Sequence, residues 1–222
     1  MAREMLKANW LRITVHIGAL IPFAVLVWDY THDQLTVDPI RAIILRTGKT
    51  ALILLMLSLA CTPVNTLFAF QSAIRVRRAL GMYAFLYAAI HVAVFLGVDY
   101  GFDPALLMDA LFERPYALAG LAAFTILLPL AITATRGWMK RLGPAWKKLH
   151  RWVYLAALLV ILHFVWLVKA DIREPLTYGA VVVVLLMVRI PRVRQWVSQV
   201  RHRLHGKPRG SFITKNVRHQ TQ

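Results

Sequence analysis

Six apolar runs, each close to the length of a bilayer crossing, dominate this 222-residue chain. They fall at about 11–28, 47–66, 79–98, 117–135, 150–168 and 176–190; the last is short, Val-rich and stopped by Pro191. A crossing helix needs about 20 mostly apolar residues. In hydrocarbon every backbone N–H and C=O must be bonded within the protein, so runs of this kind span as helices. The expectation is an all-α fold. A six-span transmembrane helix bundle takes residues 1–190, and a basic cytoplasmic tail takes 191–222. The tail interleaves Trp196 and Val200 with Arg and Lys, which suits a surface helix on anionic membrane lipid that frays after Gly206.

Charge supplies the orientation. The formal balance of +17 by itself suggests nucleic acid, but the basic residues sit between apolar runs and in the tail, not on a globular face. Nucleic acid is therefore excluded as a partner. Arg3, Lys7 and Arg12 precede or open the first run. Arg75, Arg77 and Arg78 join the second run to the third, and Arg136, Lys140, Arg141, Lys147 and Lys148 join the fourth to the fifth. The other three connections hold nine of the ten acids. Counting Lys and Arg alone places both termini in the cytoplasm. Trp10, Trp138, Trp146 and Trp152 fall near inner ends, and Trp28 and Trp166 near outer ends, as an aromatic belt would. The first run lacks a small-residue cleavage site and reads as a span, not a signal peptide. Cys61 is the one cysteine, which excludes an intramolecular disulfide, a Cys-rich iron–sulfur site and thioether-linked haem.

Histidines carry the functional reading. An ionisable side chain inside a bilayer is a functional-site hypothesis by default, and imidazole is a common axial ligand of haem iron. His91 and His163 lie in the third and fifth runs. Both runs go from inside to outside, and both histidines sit roughly 8–10 Å below the outer end. Matched depth on two helices is what a bis-imidazole haem needs; the plainer alternative is a histidine bonded to a neighbouring helix. His150 opens the fifth run, about 20 Å along the helix from His163. It is either a ligand of a second, inner haem or an interfacial histidine. Arg77 and Arg78 stand where a histidine partner would have to be, and thirteen residues put His150 and His163 on different faces of an ideal helix. His16, early in the first run, lines a cofactor or quinone pocket or is a satisfied interfacial residue. His32, His202, His205 and His219 read as solvated. Arg46, Lys49 and Arg114, at outer entrances, could pair with haem propionates or reach for headgroups. Arg78 and Arg151 belong to a basic inner field that favours an anionic cofactor.

A set of short stretches adds a family. Thr47-Gly48-Lys49-Thr50-Ala51-Leu52, Thr62-Pro63, Arg77-Arg78-Ala79-Leu80-Gly81 and Tyr87 through His91 come first. Arg114-Pro115-Tyr116, Leu142-Gly143 with Trp146, Leu149-His150, Val153-Tyr154, and His163 with Trp166 and Lys169 follow. In this order and spacing, over about residues 10–205, the chain resembles the haem-binding membrane subunits of bacterial periplasmic protein-methionine-sulfoxide reductase systems, the MsrQ or YedZ type. These belong to the ferric-reductase-like transmembrane group. The resemblance implies a multi-pass protein of the bacterial inner membrane. It implies haem b, one or two, on histidines matching His91, His150 and His163, and electron delivery to a periplasmic molybdopterin-containing methionine-sulfoxide reductase subunit. It also implies a flavin mononucleotide (FMN) cofactor and the quinone pool as electron source. The missing second histidine on the third span departs from related oxidases and puts a bis-histidine inner haem in doubt.

Three functions remain distinct. In the first, the chain is an electron conduit without substrate chemistry of its own. No G-x-G-x-x-G follows a strand, and the tail is shorter than a domain of ~50 residues. Electrons would then come from quinol or a soluble flavin reductase and leave to an outside partner. In the second, the chain is a self-contained ferric or oxygen reductase. In the third, it is a haem-free six-span transporter or assembly protein.

Overall fold

The computed structural model describes residues 2–168, 171–190 and 193, with side chains from Trp10 onward. The tail expected over 191–222, Val193 apart, and Lys169 lie outside the described residues. The described residues form nine α-helices: α1 (Ala2–Thr31), α2 (Pro39–Phe68), α3 (Gln71–Ala93), α4 (Pro104–Glu113), α5 (Pro115–Ile132), α6 (Arg136–Leu142), α7 (Pro144–Leu149), α8 (Val153–Leu167) and α9 (Arg173–Met187). A π-helical turn, Val94–Asp99, continues α3, and a 3-10 turn, His150–Trp152, leads into α8. No strand occurs among the described residues.

Among the described residues five stretches are long and apolar enough to cross a membrane: Trp10–Thr31, Pro39–Phe68, Gln71–Asp99, Pro115–Ile132 and Pro144–Leu167. The chain is a multi-pass membrane protein. The sixth expected span forms α9, a helix of 15 residues. At 1.5 Å per residue it runs ~22 Å, short of a ~30 Å hydrocarbon core. Large apolar side chains such as Ile17, Leu57, Leu86, Leu121 and Val184 face outward, as lipid contact requires.

Local chemistry sets the helix ends. Asp38 caps α2 by accepting from the Arg41 N–H at 3.0 Å, with Pro39 in the first turn. This start lies well before the expected 47, so Arg46 and Lys49 stand inside α2. A proline in the first helical turn gives up an N–H that has no helical partner there. Asp103 with Pro104 starts α4, Pro115 starts α5, and Pro144 follows Gly143, at φ +50°, into α7. The connections 99–115 and 136–149 therefore contain short helices that hydropathy alone does not predict. Ala69, in the left-handed region at φ 54°, closes α2 and turns the chain directly into α3.

The core lies between α2 and α3 and takes in their neighbours. Leu54, Leu55 and Leu59 of α2 pack with Val76, Leu80, Ala84 and Tyr87 of α3, Ala19 of α1, Ala157 of α8 and Val182 of α9. The Tyr87 hydroxyl donates to the Ala19 carbonyl at 2.7 Å, tying α1 to α3. Small buried residues, Ala119 and Ala123 on α5 with Ala156 and Ala157 on α8, let these two helices approach closely. Two helix pairs, α2 with α3 and α5 with α8, thus form the frame of the bundle.

Candidate functional site

The two helix pairs hold one histidine each in the same way. His91 of α3 has its Nδ1 2.8 Å from the Ile44 carbonyl of α2. His163 of α8 has its Nδ1 2.6 Å from the Tyr116 carbonyl of α5. Each contact reaches back 47 residues in sequence. Four residues past each carbonyl stands a glycine whose missing side chain makes room for the ring. A Cβ on Gly48 would lie 2.9 Å from His91 Nδ1, and one on Gly120 would lie 2.7 Å from His163 Nδ1. Carbonyl, glycine and histidine recur at the same offsets in both pairs, so the frame is a structural repeat.

A carbonyl only accepts, so each Nδ1 is the protonated nitrogen and each Nε2 keeps its lone pair. The two rings approach to 6.1 Å between centroids, with their planes at 90°. With metal–imidazole bonds of ~2.0–2.1 Å, as for zinc, and ring atoms ~1.1 Å from the centroid, two imidazoles on opposite sides of one ion have centroids ~6.2 Å apart. The centroid separation therefore leaves room for a single metal ion between the rings. Among the described residues no three His, Cys, Asp or Glu converge on a possible metal position. Phe85 of α3 and Phe124 of α5 stack at 5.7 Å a few residues further into the bundle. Tyr116 adds an edge contact to His163 at 5.9 Å.

The outer cations have acidic neighbours. Arg46 is ion-paired with Asp29 at the end of α1. Lys49 is paired with Glu174 at the start of α9. Arg114 is exposed at the entrance to α5; a hydrogen bond to Tyr116 pushes its pKa above the ordinary value. These side chains sit on the end of the bundle where α2 and α5 begin, within two turns of Ile44 and Tyr116.

His150 lies at the other end and is not part of the pair. Its Nδ1 is 3.2 Å from the Trp146 carbonyl, and its ring stacks on the Trp146 indole at 3.9 Å. That indole donates to the Thr133 carbonyl at 2.9 Å. Trp146 is thus a packed residue of the inner end, whereas Trp10, Trp28, Trp138, Trp152 and Trp166 are exposed as a belt would be. The 3-10 turn His150–Trp152 advances ~120° per residue instead of ~100°, which brings His150 nearer the face of His163 than an ideal α-helix would. Arg78 and Arg151 are exposed. His16 has its Nδ1 2.8 Å from the Tyr83 hydroxyl and stands apart from both histidine positions.

The packing roles of three residues do not follow from hydropathy and histidine depth. Gly48 and Gly120 were legible as a glycine placed identically before each histidine. Arg189 lay hidden inside the sixth apolar run; there it donates to the Tyr154 hydroxyl at 2.9 Å and to the Leu59 carbonyl at 2.6 Å.

Residues 47–161 match the model of a family described as the ferric reductase like transmembrane component. The chain is 43% identical over 196 residues to a protein of Xanthomonas axonopodis pv. citri named protein-methionine-sulfoxide reductase heme-binding subunit MsrQ. The alignment takes in 86% of this chain and 90% of that protein. Proteins of the same name from Xanthomonas euvesicatoria pv. vesicatoria and Xanthomonas oryzae pv. oryzae are each 42% identical, over 86% and 84% of this chain and 90% and 88% of their own lengths.

Proposed function

The chain belongs to the ferric-reductase-like transmembrane family and, within it, to the MsrQ proteins, and from that premise we propose that it is the haem-carrying membrane subunit of a protein-methionine-sulfoxide reductase system. The observation that carries this reading is the His91–His163 ring pair at 6.1 Å. His91 and His163 are the residues that would hold haem b. When bound, the haem supplies a one-electron carrier inside the bilayer. The Ile44 and Tyr116 carbonyls fix the tautomer and orientation of each ring and raise its basicity as a ligand. Arg46, Lys49 and Arg114 take the propionates at the rim, sharing their charge with Asp29 and Glu174. The apolar walls of α3, α5 and α8 keep water from the ligand nitrogens.

Electrons enter at the basic end from quinol or a cytoplasmic flavin donor. They leave at the acidic end to a periplasmic molybdopterin methionine-sulfoxide reductase that repairs oxidised proteins. A second redox centre, haem or FMN, near His150 with Arg78 and Arg151 at its edge shortens the path. His16, bonded to Tyr83, is the candidate residue for a quinone pocket. FMN and the quinone pool rest on the family resemblance alone. In this reading α9 is the sixth span, both termini are cytoplasmic, and the tail from 191 meets anionic lipid.

The family description favours one competing activity, direct reduction of ferric iron. Stopped-flow reoxidation separates the two. The purified protein is reduced and mixed with ferric chelate or with a periplasmic methionine-sulfoxide reductase from the same bacterium. The proposal expects fast reoxidation by the reductase and slow reoxidation by the chelate. The reverse order makes the chain a self-contained ferric reductase, and purified protein without a Soret band removes the haem role altogether.

A further inference from the structure

Two arginines hydrogen-bond to neighbouring turns of α2 at the basic end of the bundle, and neither has a carboxylate partner among the described residues. Arg189, just past α9, gives Nη1 to the Tyr154 hydroxyl and Nη2 to the Leu59 carbonyl, with its guanidinium 5.2 Å over the Tyr154 ring. The Leu59 carbonyl is free for this because Pro63, four residues on, has no N–H to offer it. Arg77 of α3 reaches the next turn of α2, its Nη1 3.3 Å from Thr62 Oγ1, while the Ser58 hydroxyl donates to the Arg77 carbonyl at 2.9 Å. Buried Cys61 lies between Leu59 and Thr62 on the same stretch of α2.

Two polar atoms here are buried with no hydrogen-bond partner: Arg189 Nε, a donor, and Asn65 Oδ1, an acceptor one turn past Cys61 on α2. Nine of the ten acids belong to the connections at the opposite end. Among the described residues neither arginine is ion-paired; the pairs found there are Arg46–Asp29 and Lys49–Glu174. Two neighbouring cations and an unmade donor inside a membrane bundle are costly unless an anion joins them.

We propose that Arg77 and Arg189 form a phosphate-binding site between α2, α3, α8 and the end of α9. Arg189 Nε is the donor these contacts leave over, and the joint charge of the two guanidiniums matches a phosphate monoester, which carries about −1.5 to −2 near pH 7. Basic pockets between helices at the cytoplasmic side also hold phospholipid headgroups. Asn65 Oδ1 accepts from a hydroxyl beside the phosphate, a feature of glycerol headgroups and of a phosphorylated polyol chain alike. The site rests on the basic end holding an anion and is independent of the His91–His163 pair.

Native mass spectrometry and titration of the intact protein test it. The variants are R77Q and R189Q, with R75Q as an exposed control. Phosphatidylglycerol against phosphatidylcholine in nanodiscs reads the lipid source; FMN against riboflavin reads the soluble source. The proposal expects at least one phosphate-bearing probe to bind with a stoichiometry of one. Binding should weaken at least tenfold in R77Q and R189Q and stay unchanged in R75Q. The outer haem spectrum is read in every sample, so its loss counts against the haem role and not against this site. Equal binding of each probe pair by the wild-type protein overturns the proposal even if a variant fails to fold. So does binding unchanged in both arginine variants, or loss of one haem with no change in phosphate binding, which assigns the arginines to haem carboxylates.

Discussion

His91 and His163 approach each other across the bundle, ring centroids 6.1 Å apart and planes perpendicular. Neither ring is held by the helix that carries it. Each is positioned by a backbone carbonyl on the partner helix, Ile44 for one and Tyr116 for the other. A carbonyl in a helix cannot rotate away as a side chain can, so ring orientation is set by the packing of two helix pairs. That packing depends on two glycines.

Gly48→Ala and Gly120→Ala are therefore expected to displace the rings. The added Cβ would stand 2.9 Å from His91 Nδ1 or 2.7 Å from His163 Nδ1, closer than ordinary contact. Overpacking of this kind costs ~1–3 kcal/mol, and each ~1.4 kcal/mol is tenfold in affinity. Haem affinity, measured by transfer to apomyoglobin, should fall roughly tenfold or more in each variant. Gly81→Ala, whose Cβ would meet only the Ser58 hydroxyl at 3.3 Å, should change it little.

His150→Ala should keep the spectrum of the outer pair but slow its reduction by the physiological donor. His150 sits at the opposite end, stacked on Trp146. Stopped-flow reduction with quinol checks this. Normal kinetics with unchanged cofactor content would make His150 a packing residue of the α7–α8 junction.

Reporters fused along the chain test the topology. A reporter active only outside the cytoplasm should work in the 33–37 loop between α1 and α2 and fail at the C-terminus. Activity at the C-terminus would mean that α9, with its 15 residues, does not cross.

The rim ion pairs should matter little to stability. Arg46 and both members of the Lys49–Glu174 pair are about half exposed, at 44%, 49% and 50% of the side chain. Exposed pairs contribute ~0–1 kcal/mol. Asp29→Asn and Glu174→Gln should shift thermal unfolding by only a few degrees. If they instead lower haem retention sharply, the acids do more than balance charge.

Membrane character and the histidine pair were legible because hydropathy and depth both follow from linear spacing. His91 and His163 come together as matched depth on two parallel helices implies. Other features depend on where helices turn and how closely they approach. Asp38 and Pro39 move the start of α2 back, which takes Arg46 and Lys49 from an entrance into a helix facing Asp29 and Glu174. Trp146 looked like a belt residue and is instead bonded inward, since hydropathy does not report which way an indole N–H points. Arg189 was masked by its apolar neighbours; its partner, the Leu59 carbonyl, is released by a proline 126 positions earlier in the chain.

The most direct measurement is the low-temperature EPR and absorbance spectrum of His91→Ala and His163→Ala, each purified with haem. The account predicts that each single variant loses the low-spin bis-imidazole signature, because each removes one of two axial bonds. Retention of that signature in both variants would contradict it.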